Sequence, residues 1–315
     1  MSNQHPFIYS NDNKRYHTLD YHFKKRFHKK TYKAVLDAGF SCPHIINDKG
    51  GCTFCSIRGS GDFAFASTLS LKKQYEAQKI IMEKKWPNAQ AIAYFQAYTN
   101  TYASLDTLKI IYDPFFSDEM DNIAVALGTR ADCLSYEIIE YFHQQSFKKP
   151  VYLEIGVQSI HQKTNIAINR GHSMEVVNEV IQKCKDKNFD VVIHIINGLP
   201  KEDQAMMIDT AKWVAKQPIS GVKIHMLHLL KNTKMGDDYL SNPFKLLTMD
   251  EFVDVVIKQL EILPPELVIH RITGDGLIDD LIAPDWTLKK RVVLNSIDKE
   301  MVKRNTYQGK LYETY

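Results

Sequence analysis

Between residues 32 and 231 short apolar runs alternate with longer amphipathic ones, and this alternation restricts the fold more than any other feature. The runs YKAVLDAGF (32–40), AQAIAYFQAY (89–98), NIAVALGT (122–129), PVYLEIGVQ (150–158), FDVVIHIING (189–198) and SGVKIHMLHLL (220–230) read as strands. Helical segments are expected at 71–86, 104–111, 135–146, 160–168, 173–187 and 202–216. Strand, crossover helix, strand is the pattern of a parallel sheet. Right-handed crossovers wind six such units into an open or closed barrel. Polar residues fall at the strand C-terminal ends, where such sheets place ligands: Gln96, Thr129, Arg130, Gln158, Asn197 and His228.

The flanks differ from this core and suggest three parts: a basic extension at 1–32, a core at 33–231 and a C-terminal extension at 232–315. Residues 1–32 read as irregular. The stretch 14–33 carries eight Lys/Arg, three His and five aromatics against one Asp. After 231 come an amphipathic helix (248–263), a strand with a glycine-rich exit (266–276) and a basic helical tail (285–305). With 315 residues, 44% hydrophobic and 24% charged, the chain suits a soluble globular protein with a sizeable core. A net charge of +3 does not by itself demand a polyanionic partner. No apolar run approaches the roughly 18 residues of a membrane span, and the start lacks a secretory h-region. A cytoplasmic location follows, where clustered cysteines more often bind metal or do chemistry than form disulfides.

Three of the five cysteines, Cys42, Cys52 and Cys55, stand in CPHIINDKGGCTFC (42–55), with nine and then two residues between them. Three thiolates can hold a four-iron cluster and leave its fourth iron open, whereas iron–sulfur clusters usually have four cysteines and structural zinc four ligands. A closed cluster or zinc site therefore stays open as an alternative, although His44, two residues after Cys42, is cramped as a fourth ligand. Gly50 and Gly51 permit the tight backbone such a loop needs, and GSGDF (59–63) allows a further close approach. Cys133 and Cys184 are isolated, and Cys184 reads as core.

The stretch CPHIINDKGGCTFCSIRGSGDF resembles the cluster loop of radical S-adenosylmethionine (radical SAM) enzymes, with a first spacer longer than the common three residues. In that spacing it is similar to the radical SAM domain of the Elongator catalytic subunit, which acts on wobble uridines of tRNA. Along nearly the whole chain it resembles the smaller YtqA/YhcC-like branch. The resemblance implies an α/β fold, a partial TIM-type (β/α)6 barrel with basic N-terminal and C-terminal extensions. It implies a [4Fe-4S] cluster on Cys42, Cys52 and Cys55, S-adenosyl-L-methionine as cofactor, and an electron donor such as flavodoxin or ferredoxin. LEIGVQSIHQKTNIAINRGH (153–172) is similar to a stretch that contacts SAM, which implicates Glu154, Gln158 and Arg170. HIINGLP (194–200) resembles the adenine-lining strand and implicates Asn197. YFQAYTNTY (94–102) takes the place of the segment that binds the SAM amine, with Gln96 and Thr99 as candidates. A barrel ion pair would account for Glu154 equally well, and a helix-end or surface pairing for Arg170.

Substrate candidates lie in HRITGDG (270–276): His270, Arg271 and Asp275, a cation and an acid about a glycine-rich turn. Lys223, His225 and His228 read by default as satisfied or surface groups. Two basic blocks, around Lys25, Arg26 and Lys29 and around Lys289, Lys290 and Arg291, suit a nucleic-acid backbone beside unpaired bases. Such charge runs are also common on plain solvated surfaces. With the resemblance, they point to a tRNA anticodon loop as partner and to no membrane. The YtqA-like likeness implies one step, conversion of 5-carboxymethylaminomethyl-(2-thio)uridine to the 5-aminomethyl form. There a 5′-deoxyadenosyl radical abstracts hydrogen beside the secondary amine, and imine hydrolysis releases the two-carbon unit. The competing readings are a radical SAM enzyme on a small molecule or tetrapyrrole, and a non-catalytic metal-stabilised binding or redox-sensor protein.

Overall fold

A computed structural model describes residues 7–47, 50–56, 58–59, 64–274, 276 and 278–313. Helix α1 (Leu19–Phe27) precedes β1 (Thr31–Leu36), and α2 (Pro43–Ile46) lies in the cysteine loop. Then α3 (Leu71–Lys85), β2 (Gln90–Phe95), α4 (Leu105–Phe116), β3 (Ala124–Thr129), α5 (Tyr136–Gln145) and β4 (Val151–Gln158) alternate. They are followed by α6 (Gln162–Ala167), α7 (Met174–Cys184), β5 (Asp190–Asn197), α8 (Gln204–Ala215) and β6 (Gly221–Met226). The remaining elements are β7 (Leu229–Leu230), α9 (Lys234–Ser241), α10 (Met249–Ile262), β8 (Val268–Arg271), β9 (Leu281–Ala283) and α11 (Lys290–Lys303).

Among the described residues, seven strands form one parallel sheet in the order β1-β2-β3-β4-β5-β6-β8. Six strands were expected in it from the alternating pattern; the seventh, β8, comes from the C-terminal segment and pairs parallel with β6. The helices start where a short polar side chain can take up an orphan amide. Ser70, Ser104, Ser135, Ser173, Asp203 and Thr233 each accept a backbone N–H three residues on. Thr248 and Glu251 close a reciprocal capping box on α10. The expectation of an irregular 1–32 is corrected by α1. Thr18 Oγ1 accepts the Tyr21 amide at 3.2 Å, Asp20 lies in the first turn, and Lys24, Lys25 and Arg26 lie in the last. Those charges suit the two ends of the helix dipole.

Two compact units are described separately. The first comprises Phe23–Gly156 and Gly171–Val192. One sheet face there is sealed by helices: Phe95 meets Tyr112 and Phe115 edge-on, at 4.8 and 5.1 Å between ring centres, and Tyr112 meets Phe142. The other face carries Lys33, Tyr94, Tyr152 and Glu154, as strand register and alternation require. The second unit comprises the chain through His22, Val157–Arg170, and everything from Ile193 onward. Its core is built by α8 and α10, with Phe252, Val256, Ile257 and Leu260 fully buried. Among the described residues no helix is long and apolar enough to cross a membrane.

Candidate active site

The cysteine loop follows β1 and is shaped by its backbone. Cys42 caps α2 from an extended conformation, and its carbonyl accepts the amides of Ile45 and Ile46 at 3.0 and 3.1 Å. Gly50 and Gly51, at φ 76° and 70°, reverse the chain so that the Gly51 amide reaches the His44 carbonyl at 3.1 Å. A side chain would be strained at both positions. A further turn, Cys55 N–H to Cys52 C=O at 3.0 Å, brings the last two cysteines together. All three thiols are half-buried.

Arg130, just past β3, is legible in the sequence only as a strand-end polar residue. It is buried and grips Asp132 with two hydrogen bonds, Nε to Oδ1 at 2.9 Å and Nη2 to Oδ2 at 2.8 Å. Burial opposes its charge, but Asp132 outweighs this, and Cys42 and Cys52 lie near enough to add to the effect. At Cys133 burial, then the Asp132 charge, push the thiol up to about 12. Cys184 is likewise pushed to about 12 by burial and packs in the core, as expected.

Among the described residues no three His, Cys, Asp or Glu side chains converge as ligands of one ion. A single zinc would draw its thiolates to within about 4 Å of one another. A four-iron cluster binds each thiolate to a different iron, so its ligands stand further apart. The loop's donor set, all thiols beside a cation, fits the cluster. His44 is buried and committed elsewhere: a Cβ at Gly171 would lie 1.8 Å from its ring. Next in sequence, the buried His172 places Nδ1 3.9 Å from Asp132 Oδ1. The RGH triplet at 170–172 thus supports the loop through Gly171 and His172.

Glu154 is fully buried on β4; one carboxylate oxygen pairs with Lys33 and the other accepts the Tyr94 hydroxyl at 2.8 Å. Glu154 thus sits in an ion pair within the sheet, and Lys33 also lies 4.5 Å from the Tyr94 ring centre. Gln96, half-buried at the end of β2, donates its backbone N–H to Leu36 C=O at 3.3 Å. Thr99 is buried in the following turn. Gln158 ends β4 at φ 65°, a left-handed conformation uncommon for a residue with a side chain. Arg170 is buried, and its Nη1 donates to the carbonyls of Val157 and Ser159 at 2.7 and 3.1 Å. These bonds close the exit of β4 and are neither a helix-end cap nor a surface pair.

Asn197 has its side chain engaged by α10. Its amide exchanges two hydrogen bonds with Gln259 of α10, at 2.8 and 2.9 Å, and Gln259 also holds the Met207 carbonyl. The side chain therefore faces the helices, because the strand alternation at β5 turns odd positions outward.

Among the substrate candidates, His270 lies against Gly221, where a Cβ would meet its ring at 2.6 Å. Arg271 is half-buried opposite Lys223. Asp275 lies outside the described residues. His228 packs against Gly274 and Gly276, and burial pushes its pKa down to about 4, so it stays neutral. Lys25, Lys29, Lys289 and Arg291 are exposed, and Lys290 is half-buried. Arg26 is engaged, donating to the Tyr152 hydroxyl at 3.0 Å and pairing with Asp190. The aromatics interleaved with the first basic block are largely packed: Tyr16, Phe23 and Tyr32 are buried.

The Radical SAM superfamily model matches residues 48–214, and the Radical_SAM C-terminal domain model matches 219–303. The first match begins after Cys42, in keeping with the long first spacer. The chain is 42% identical over 315 residues to uncharacterized protein YtqA of Bacillus subtilis, covering 99% of this chain and 98% of that one. It is 27% identical over 282 residues to Elongator complex protein 3 of Schizosaccharomyces pombe, covering 77% of this chain and 51% of that protein. Among solved structures it is similar to Methanocaldococcus infernus Elp3 lacking its N-terminus, with TM-score 0.66 and 17% identity, covering 89% of this chain and 64% of that one.

Proposed function

This chain belongs to the radical SAM superfamily of enzymes, using a [4Fe-4S] cluster and SAM, and from that premise we propose that it modifies the wobble uridine of tRNA. The step is conversion of 5-carboxymethylaminomethyl-(2-thio)uridine to the 5-aminomethyl form. The likeness of the cysteine loop and its long spacer to the tRNA-acting Elongator subunit carries this reading. Exposed lysines at Lys25, Lys29 and Lys289 support it as phosphate contacts.

When bound, the cluster and SAM supply a radical strong enough to take hydrogen from an unactivated carbon. Cys42, Cys52 and Cys55 hold the cluster, and Arg130 offsets the charge of the thiolates. Gln96, Thr99, Glu154, Gln158 and Arg170 are proposed to orient SAM, Glu154 by accepting ribose hydroxyls on a carboxylate already fixed by Lys33 and Tyr94. The segment after residue 231 contributes substrate contacts. The substrate change is a two-electron oxidation of the carbon beside the secondary amine to an imine. Water then adds, and glyoxylate leaves. The oxidising equivalents match those consumed in reducing SAM to methionine and 5′-deoxyadenosine, so the donor, of the flavodoxin or ferredoxin class, supplies only the initiating electron.

The test is anaerobic turnover of the reconstituted enzyme on tRNA bearing the carboxymethylaminomethyl group, with nucleoside mass spectrometry. Aminomethyl-uridine and 5′-deoxyadenosine are expected together, and neither from Cys52→Ala. Carboxymethyl groups left intact while 5′-deoxyadenosine accumulates would reject the substrate.

A further inference from the structure

The cysteine loop carries an exposed apolar surface. Cys42 opens α2, and its carbonyl accepts the amides of Ile45 and Ile46, so both isoleucines stand one turn from that cysteine. Ile45 is 42% exposed and Ile46 57%. A single exposed aliphatic side chain is ordinary, whereas several beside a set of redox ligands call for a partner.

The start of α3 is fastened to the entry of the same loop. Gln74, fully buried, accepts the Asp37 amide at 2.9 Å and donates to the carbonyls of Asp37 and Leu69 at 2.8 and 3.0 Å. Gly39 passes so near Ser67 that a Cβ on it would lie 3.8 Å from the serine Cβ. Residues 37–39 lead from β1 toward Cys42, so these contacts set Leu69 and the first turn of α3 beside the loop entry. Leu69 is 41% exposed. That first turn holds no acid and two exposed lysines, Lys72 and Lys73. Among the described residues neither is in an ion pair, although Glu76 lies one turn on; Lys79, further along, is taken up by Asp121. The positive end of the α3 dipole adds to the field of the two lysines.

We propose that this face docks the one-electron donor on which the enzyme depends, an acidic protein of the flavodoxin or ferredoxin class. Ile45, Ile46 and Leu69 form its apolar centre, and Lys72 and Lys73 its charged edge. The proposal rests on the family and not on the tRNA reading. An RNA backbone would engage the lysines but not three aliphatic side chains, whereas a protein contact joins an apolar centre to a polar rim. A patch this small suits the weak, transient contact of a redox encounter. Opposite charges on the two proteins speed that encounter. One electron leaves the donor and reduces the cluster by one electron; no covalent bond forms or breaks. The three thiols that hold the cluster are half-buried, which keeps the path from this face short.

The experiment is rapid-freeze EPR of the cluster-loaded enzyme, without SAM or tRNA, reduced by a recombinant bacterial flavodoxin in its hydroquinone form or by dithionite. The flavodoxin rate is expected to fall as salt rises. Lys72→Glu with Lys73→Glu should lower that rate by about tenfold or more and flatten its salt dependence. Lys72→Arg with Lys73→Arg should keep both. Ile46→Gln should lower the flavodoxin rate at every salt concentration without changing the slope. Iron content and the dithionite rate should be unchanged in all of these variants. Flavodoxin rates equal to wild type in the charge-reversed and Ile46 variants overturn the docking face. Equal losses with both reductants overturn it in favour of a structural role in the cysteine loop. Weakened tRNA binding with an unchanged flavodoxin rate overturns it in favour of phosphate contacts.

Discussion

Gly171 shows how one missing methyl shapes the cysteine loop. Its φ of 81° is left-handed, and a Cβ would sit 1.8 Å from the His44 ring, far inside contact distance. Gly171→Ala should therefore cost about 2 kcal/mol or more, through backbone strain and displacement of a buried ring. It should also lower the iron retained after reconstitution, because His44 lies two residues after Cys42. His44→Ala should keep its iron, as a packing residue and not a ligand, and the double variant should recover part of the loss by vacating the ring's space. Thermal denaturation and iron-to-protein ratio read all three; iron absent from His44→Ala would make it a ligand instead. The three cysteines and both loop glycines were legible as a spacing. Arg130 and Asp132 were not, because they lie about eighty residues away and reach the loop only through the sheet. The side-chain partner of Asn197 was not legible for a related reason: a strand-end polar residue can serve the site on one face and the helices on the other, and Gln259 is 62 residues distant.

Elements were readable wherever the period was long. The strands expected from apolar runs and the helices between them all formed, because both faces of a parallel sheet must be covered. Helix α1 was missed because its lysines and aromatics obscured a nine-residue pattern, although Thr18, Asp20 and the Phe23–Phe27 pair were present as signals. The register shift at His270, between the Val222–Ile269 and Lys223–Arg271 pairs, was beyond reach, since nothing local marks one extra residue. Interhelix polar contacts were equally invisible, and Asp254 is the clearest. It accepts from Gln204 of α8 at 2.6 Å, Lys258 of its own helix at 2.8 Å, and Arg304 at the end of α11 at 2.8 Å. Burial would raise its pKa, but Lys258, Arg304 and Gln204 outweigh it and hold the carboxyl below its usual range. Its stabilisation is therefore complete above the unfolded pKa of about 4 and is lost as pH falls through the lower folded value. Asp254→Asn should cost about 1 kcal/mol at neutral pH, and the gap from wild type should narrow as pH falls below the unfolded pKa. Urea titrations at pH 7 and pH 3 measure this; an equal gap at both would mean that packing, not charge, holds the three helices.

At the scale of the whole molecule, a net charge of +3 conceals two kinds of cation. Lys14, Arg26 and Lys33 pair with Asp298, Asp190 and Glu154 and serve the fold. Lys25 and Lys29 near the N-terminus, and Lys289 and Arg291 at the start of α11, stand exposed. The last two also meet the positive end of a helix dipole, an arrangement unfavourable to the helix alone and favourable to an anion. A polyanionic substrate would draw on the second kind. Each phosphate contact removed should lower the slope of log affinity against log salt by about 0.7 for single-stranded RNA. On the proposed tRNA substrate, Lys29→Ala should therefore weaken binding uniformly and flatten that slope, with thermal stability unchanged, and Lys289→Ala with Arg291→Ala should do the same. Arg26→Ala should lower stability, because it strips Asp190 and the Tyr152 hydroxyl of their partner. Filter binding across a salt series, paired with melting curves, separates the two classes. If neither surface variant alters the slope, the exposed cations are a solvated face and not phosphate contacts. If Arg26→Ala flattens it as much as the surface variants do, the division between structural and binding cations falls.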